Sequence, residues 1–267
     1  MPENEPPPVD AEALAEVARR LREGGFVAAE DEAADLLLSA GGDEALLESR
    51  LRRRLEGEPL AWITGTTRFC GLELHVDAGV YVPRWQSEEL ARRAAALLPD
   101  DGVALDLCTG SGAVAAYLVS QRPGARVLAS DVDEAAVACA RRNGVDASRG
   151  DLFDAFPHDV RGCADVVVAV VPYVPTRHLA FLPRDTFTFE STLAYDGGDQ
   201  GTEVLRRVIA QSPRYLRSGG ALLLELGGDQ ARLLDDDFAR HQLVVRDHLV
   251  DDDGDLRGVV AVRAPSP

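Results

Sequence analysis

The residues best placed to do chemistry begin at Asp106-Leu107-Cys108-Thr109-Gly110-Ser111-Gly112, between an apolar run ending at Leu107 and a helical pattern from Ala113. Glycines at a strand-to-helix turn let a ligand approach the backbone closely, beside the unpaired N–H groups of the helix start. Asp131 ends the next apolar run, 19 residues after Gly112. A carboxylate there can accept hydrogen bonds from both hydroxyls of a ribose. The glycines alone do not name the ligand. Gly110-Ser111-Gly112-Ala113-Val114-Ala115 also satisfies the dinucleotide pattern, and a purely structural glycine turn would read the same way. Two features favour S-adenosylmethionine. Asp106 stands four residues before Gly110, where a carboxylate can meet the cationic methionine portion directly or through water. Gly150-Asp151-Leu152-Phe153 follows the third strand position, where an acid can hold the adenine amino group and an apolar side chain can pack on its ring. The candidate cofactor contacts are therefore Asp106, Cys108, Thr109, Gly110, Gly112, Asp131, Val132, Asp151 and Leu152.

The elements that must position these residues can be read from pattern. Met1–Val9 reads as a loose, proline-rich tail. Leu14, Val17, Ala18 and Leu21 recur at helical spacing, and Gly24-Gly25 stops that helix. Two more helices are expected over Glu30–Ser39 and Asp43–Leu55, with the arginines of Arg50–Arg54 on a solvated face. Leu72, Leu74 and Val76 alternate with Glu73 and His75, a half-buried strand. This predicts a hairpin flanked by Gly65 and Gly71, with His75 facing outward or lining the hairpin. From Asp101 onward strands and helices alternate. Strands are expected over Val103–Leu107, Arg126–Ser130, Asp165–Val170 and Ala221–Leu226, and helices over Ala113–Ser120, Glu134–Arg142 and Gly201–Leu216, the last stopped by Ser218-Gly219-Gly220. Leu243–Leu249 and Leu256–Val262 form a terminal hairpin. Such alternation predicts an α/β fold with a mostly parallel sheet covered on both faces. The domains are 1–57 (helical), 58–85 (linking hairpin) and 86–267 (cofactor-binding).

Composition narrows the function. The chain has 267 residues, enough for a sizeable core, and a net charge of −17. Every fixed cation is arginine; lysine is absent. That balance disfavours nucleic acid, whose phosphates need a basic face, and an anionic membrane surface. No apolar run is long enough to span a bilayer, and the amino terminus lacks the basic and apolar regions of a secretory signal. Cys70, Cys108, Cys139 and Cys163 are scattered without a C-x-x-C pair, so no metal site is expected. Reduced thiols fit a cytoplasmic protein.

Glu58-Pro59-Leu60, Ile63-Thr64-Gly65, Phe69, Gly79-Val80, Val82-Pro83-Arg84, Ser87-Glu88, the Asp106–Gly112 turn, Gly150-Asp151, Pro172-Tyr173 and Gly197-Gly198-x-x-Gly201 follow one another in a characteristic order. In this series the chain resembles the PrmC/HemK family, protein-(glutamine-N5) methyltransferases that modify peptide-chain release factors. The resemblance covers roughly Leu14 to Val262. Cys108 and Pro172-Tyr173-Val174-Pro175-Thr176 look more like an actinobacterial branch related to that family. The resemblance implies a small helical domain, a linking hairpin and a seven-stranded, Rossmann-like class I methyltransferase domain.

The departure from the family is as informative as the match. The family carries Asn-Pro-Pro-Tyr after its fourth strand; here the same place reads Val170-Val171-Pro172-Tyr173. The resemblance implies that the asparagine oxygen and an adjacent backbone carbonyl hold the substrate amide, a poor nucleophile. Valine accepts no hydrogen bond. The expected acceptor is therefore not an amide but an amine, phenolate, thiolate or carboxylate, such as one on a small molecule of specialised metabolism. Val170, Pro172 and Tyr173 would line its slot, with His178 as a possible base. Glu190 reads as loop support and Glu225 as the end of a sheet strand. Arg84 and Trp85 stand where they could close over the cofactor. A release-factor glutamine as acceptor, or a binding protein that has lost transfer, are the competing readings.

Overall fold

The computed structural model describes residues 10–182 and 188–265. The expected tail, Met1–Val9, lies outside them. Three helices come first: α1 (Ala11–Glu23), α2 (Ala29–Ala40) and α3 (Glu44–Leu55). Asp10 and Asp43 cap α1 and α3 by accepting from the Glu12 and Leu46 N–H groups, both at 3.0 Å. With the short α4 (Leu60–Thr64) they enclose an apolar cluster of their own around Leu21, Leu36, Leu51 and Ile63. Arg54 departs from the solvated face expected of it. Its side chain is 8% exposed, pairs with Glu32 at 2.6 Å and lies over the Phe26 ring.

The hairpin follows as β1 (Thr66–Phe69) and β2 (Leu72–His75), antiparallel. Its turn residues Cys70 and Gly71 both have positive φ, the geometry that suits a two-residue hairpin loop. Asn143 fastens it to the rest of the molecule. The His75 N–H donates to Asn143 Oδ1, while Asn143 Nδ2 donates to the His75 and Ser111 carbonyls, all at 2.8 Å.

Then comes α5 (Glu88–Leu97), a helix that the sequence reading does not contain. Its buried face is Leu90, Ala91, Ala94 and Ala95; alanines mute the periodic signal. The α/β portion runs β3 (Val103–Leu107), α6 (Ala113–Gln121), β4 (Arg126–Asp131), α7 (Glu134–Arg142), β5 (Asp146–Arg149), β6 (Ala164–Ala169), α8 (Glu203–Gln211) and β7 (Leu216–Glu225). Two short helices, α9 (Gln230–Leu233) and α10 (Asp235–Arg240), precede β8 (Leu243–Val250) and β9 (Leu256–Arg263). Seven strands form one sheet in the order β5-β4-β3-β6-β7-β9-β8, parallel except for β9, which runs antiparallel to both neighbours. Two boundaries differ from expectation. Helix α8 stops at Gln211, before Pro213, rather than at Leu216. Ser218-Gly219-Gly220 lies inside β7, where the register against β6 is irregular, and does not cap a helix.

Both faces of the sheet are buried. Val166, Val168 and Leu223 join the cluster under α5 and α6, while Val167, Leu222 and Leu224 join the one under α8 and α10. Period-2 alternation with both sets apolar is what a two-sided parallel sheet requires. The parallel strands deliver Leu107, Asp131, Arg149, Ala169 and Glu225 to one edge. Strand order reverses between β3 and β6, so a crevice opens at that edge. Among the described residues no helix is long and apolar enough to cross a membrane, and no group of side chains could hold a metal ion.

Candidate active site

A cavity of about 610 Å³ occupies that crevice, within the range of small-molecule sites. Each strand end contributes. Cys108 and Gly110 come from the β3–α6 turn, Asp131 and Val132 from the end of β4, and Asp151 and Leu152 from the segment after β5. Val170, Pro172 and Tyr173 follow β6, and Glu225 ends β7. Nine of the thirteen candidates line this wall.

Asp131 organises one side of the cavity. Its Oδ2 accepts from the Gly110 N–H at 2.9 Å and its Oδ1 from the Asp133 N–H at 3.0 Å. Each oxygen keeps a lone pair for a further donor, so the residue fits a ribose diol. Burial holds its carboxyl above the usual carboxylate range. Cys108 and Leu152 both adopt left-handed backbone, with φ of 55° and 52°. Non-glycine residues seldom do so, and such strain gathers at ligand sites. The Ser130 hydroxyl fixes one of them by donating to the Leu152 carbonyl at 2.7 Å. Asp151 is bridged by Arg207 at 2.5 Å. Burial, with Asp131 and Asp106 nearby, holds the Cys108 thiol protonated.

Four candidates lie off the main wall. Asp106, 2% exposed, and Thr109 line a recess of about 30 Å³, room for one water-sized group. The recess shares Tyr81, Cys108 and Val170 with the cavity. The Thr109 hydroxyl donates to Asp106 Oδ2 at 2.6 Å, and Asp106 meets a ligand only through the recess. Gly112 does not line the cavity. A Cβ there would fall 2.9 Å from Ala140 Cβ, so glycine serves the packing of α6 on α7. His178 is exposed, edge-on to Phe181, and outside the cavity wall. The segment after Tyr173 carries it outward.

The Pro172-Tyr173 side is held from below. Gly197 and Gly201 cross directly under Pro172-Tyr173, and a Cβ on Gly201 would run into the Tyr173 carbonyl oxygen. Gln230 Nε2 donates to that carbonyl at 2.7 Å and to the Gly201 carbonyl at 3.0 Å. Glu190, 5% exposed, accepts from the Val82 N–H at 2.9 Å and from Arg84 at 2.5 Å, and the Tyr195 hydroxyl donates to it. It ties residues 82–84 to the loop over the cavity. Glu225 is the residue that sequence reasoning missed. Its carboxylate faces the cavity rather than the sheet interior, accepting from the Tyr173 hydroxyl at 3.0 Å and from the Ser87 hydroxyl. The signal was there: an acid closing an apolar strand at the ligand-binding edge.

No protein-family model matches the chain. Curated release factor glutamine methyltransferases are 32–36% identical to it. That of Neisseria gonorrhoeae is 36% identical over 208 residues, 73% of this chain and 75% of that one. The chain belongs to the PrmC/HemK family. It is an S-adenosylmethionine-dependent methyltransferase. A further relative, from Streptomyces pristinaespiralis, is 36% identical over 191 residues, 67% of this chain and 65% of that one. It is named a 4-amino-L-phenylalanine/4-methylamino-L-phenylalanine methyltransferase. The fold agrees with a methyltransferase from Pyrococcus furiosus, at TM-score 0.52 and 20% identity over 82% of this chain and all of that one.

Proposed function

We propose that this PrmC/HemK-family enzyme methylates a non-amide acceptor, a small molecule of specialised metabolism, in the cytoplasm. Val170 carries the reading. It lines the cavity where the family places an asparagine, and it packs against the apolar cluster of the sheet. A buried amide N–H left without an acceptor costs about 1–3 kcal/mol. At about 1.4 kcal/mol per decade that is roughly 5- to 150-fold in rate. A nucleophile whose lone pair is not delocalised needs no such help, and the Streptomyces relative's name carries a small aromatic amine.

In this reading Asp131 holds the ribose, Asp151 and Leu152 the adenine, and the Cys108–Gly110 backbone the methionine portion, with Asp106 behind it. Pro172 and Tyr173 line the acceptor slot with Val170. S-adenosylmethionine supplies a methyl group on a sulfonium, and the protein contributes proximity and orientation. The four cysteines form no disulfide, consistent with a reducing compartment.

The test supplies methyl-labelled S-adenosylmethionine with a release factor from the same source, and separately with a small-molecule extract. Label is expected in the extract alone. Label on the release factor, abolished by changing its glutamine, would overturn the proposal. Val170→Asn is expected to raise transfer to that glutamine by roughly 5- to 150-fold, the factor argued above.

A further inference from the structure

Glu225 is 3% exposed and lines the acceptor half of the cavity. Its carboxylate's only hydrogen-bond partners among the described residues are two hydroxyls, those of Tyr173 and Ser87. The arginines of the cavity wall are engaged elsewhere. Arg84 pairs with Glu190 at 2.5 Å, Arg207 with Asp151 at 2.5 Å, and Arg257 with Asp251 at 2.6 Å and Asp255 at 3.5 Å. Taking a carboxylate out of water is costly unless a cation compensates it, and two neutral hydroxyls compensate only in part. The groups facing it are Tyr173, Tyr81 and, on the neighbouring β9, Arg257. Burial keeps both phenols protonated, so neither adds a second charge.

We propose that Glu225 selects an amine as the methyl acceptor and receives the proton that its nitrogen gives up. This rests on the reading that the acceptor is not an amide. As the nitrogen lone pair forms the new N–C bond, the methyl's bond to sulfur breaks and its electrons stay on sulfur, leaving a neutral thioether. The positive charge then sits on nitrogen, against the carboxylate. The N–H proton moves to a Glu225 oxygen, leaving a neutral methylamine, and returns to water when the product leaves. A phenolate, thiolate or carboxylate acceptor would instead set a second anion beside a buried one, which disfavours its ionised, reactive form.

The full-length protein is tested with isosteric pairs that differ only at the attacking atom: 4-amino-L-phenylalanine against L-tyrosine, and aniline against phenol. Label from S-adenosylmethionine is expected on the amine of each pair. Glu225→Gln, which keeps the shape, is expected to lower kcat about 100-fold, to abolish the acid limb of the pH–rate profile, and to leave S-adenosylhomocysteine affinity unchanged. Ser87→Ala removes one donor to the charged form and moves that limb to higher pH. A readout without turnover is calorimetry of phenyltrimethylammonium and its uncharged tert-butyl isostere, both with S-adenosylhomocysteine present. The cation is expected to bind about tenfold more weakly to Glu225→Gln, and the isostere equally to both proteins. Labelled phenols, or an amine methylated equally well by Glu225→Gln, would overturn this inference alone. Label confined to a release-factor glutamine would overturn it together with the proposed function. If the wild type is silent on every acceptor, the cation titration decides: equal affinity for both proteins removes Glu225 from the site.

Discussion

Asp106 shows what a single buried carboxyl does to the whole protein. Burial pushes it up to about 7, and the Thr109 hydroxyl at 2.6 Å only partly offsets this. In the unfolded chain the same group titrates near 4. Between those values the folded protein binds a proton that the unfolded chain has lost, so stability falls as pH rises through that window. Asp131 and Glu225 are shifted upward by burial as well and contribute with the same sign. The ligand-free protein is therefore expected to lose thermal stability between about pH 4 and about pH 7. Asp106→Asn should flatten part of that slope, leaving the share of the other two. Melting curves of both proteins across this range check it, and parallel curves would mean that Asp106 titrates as an ordinary acid.

At the scale of elements, the segment Pro172-Tyr173 is only as well placed as the loop beneath it. Gly201 has φ of +71°, and any Cβ there meets the Tyr173 carbonyl and, at 2.5 Å, Gln230 Nε2. Gly201→Ala combines left-handed strain with overpacking, about 2–5 kcal/mol together. It is expected to lower the denaturation midpoint and to weaken acceptor binding more than S-adenosylhomocysteine binding; equal losses would show that the loop does not position the acceptor side in particular. This crossing also explains what the sequence could and could not disclose. Strand ends were legible because β3, β4 and β6 are short apolar runs bounded by turn residues, and the acid at the end of β4 reaches the cavity wall. Helix α5 was not, because Ala91, Ala94 and Ala95 carry its buried face with little apolar contrast. Gly112 and Gly110 look alike in sequence, yet only Gly110 lines the cavity while Gly112 admits Ala140. His178 follows Tyr173 closely in sequence, but the path of the chain between them, which no local pattern encodes, takes it out of the site.

At the scale of the molecule, the cavity sits on the carboxyl edge of the sheet and is walled by the ends of five strands and their following loops. A ligand there bridges β3, β4, β5, β6 and β7 through Cys108, Asp131, Asp151, Val170 and Glu225. The same elements carry both apolar layers of the core, so binding is expected to stabilise the sheet as a whole rather than a rim loop. The cluster of α1 to α4 is separate in packing, but Asn143 ties the adjoining hairpin both to α7 and to the glycine turn. Ligand at 100 times its Kd adds about 2.7 kcal/mol to a protein that binds only when folded. For a chain of this size that corresponds to a rise in Tm of about 5–10 °C. S-adenosylhomocysteine should produce it in the wild type, and Asp131→Ala, which removes the acceptor shared by the glycine turn and the expected ribose, should abolish it. One transition that moves intact would mean that the hairpin couples the helical cluster to the sheet. A second transition that stays in place would mean that Asn143 and its neighbours hold the two together without making them unfold as one.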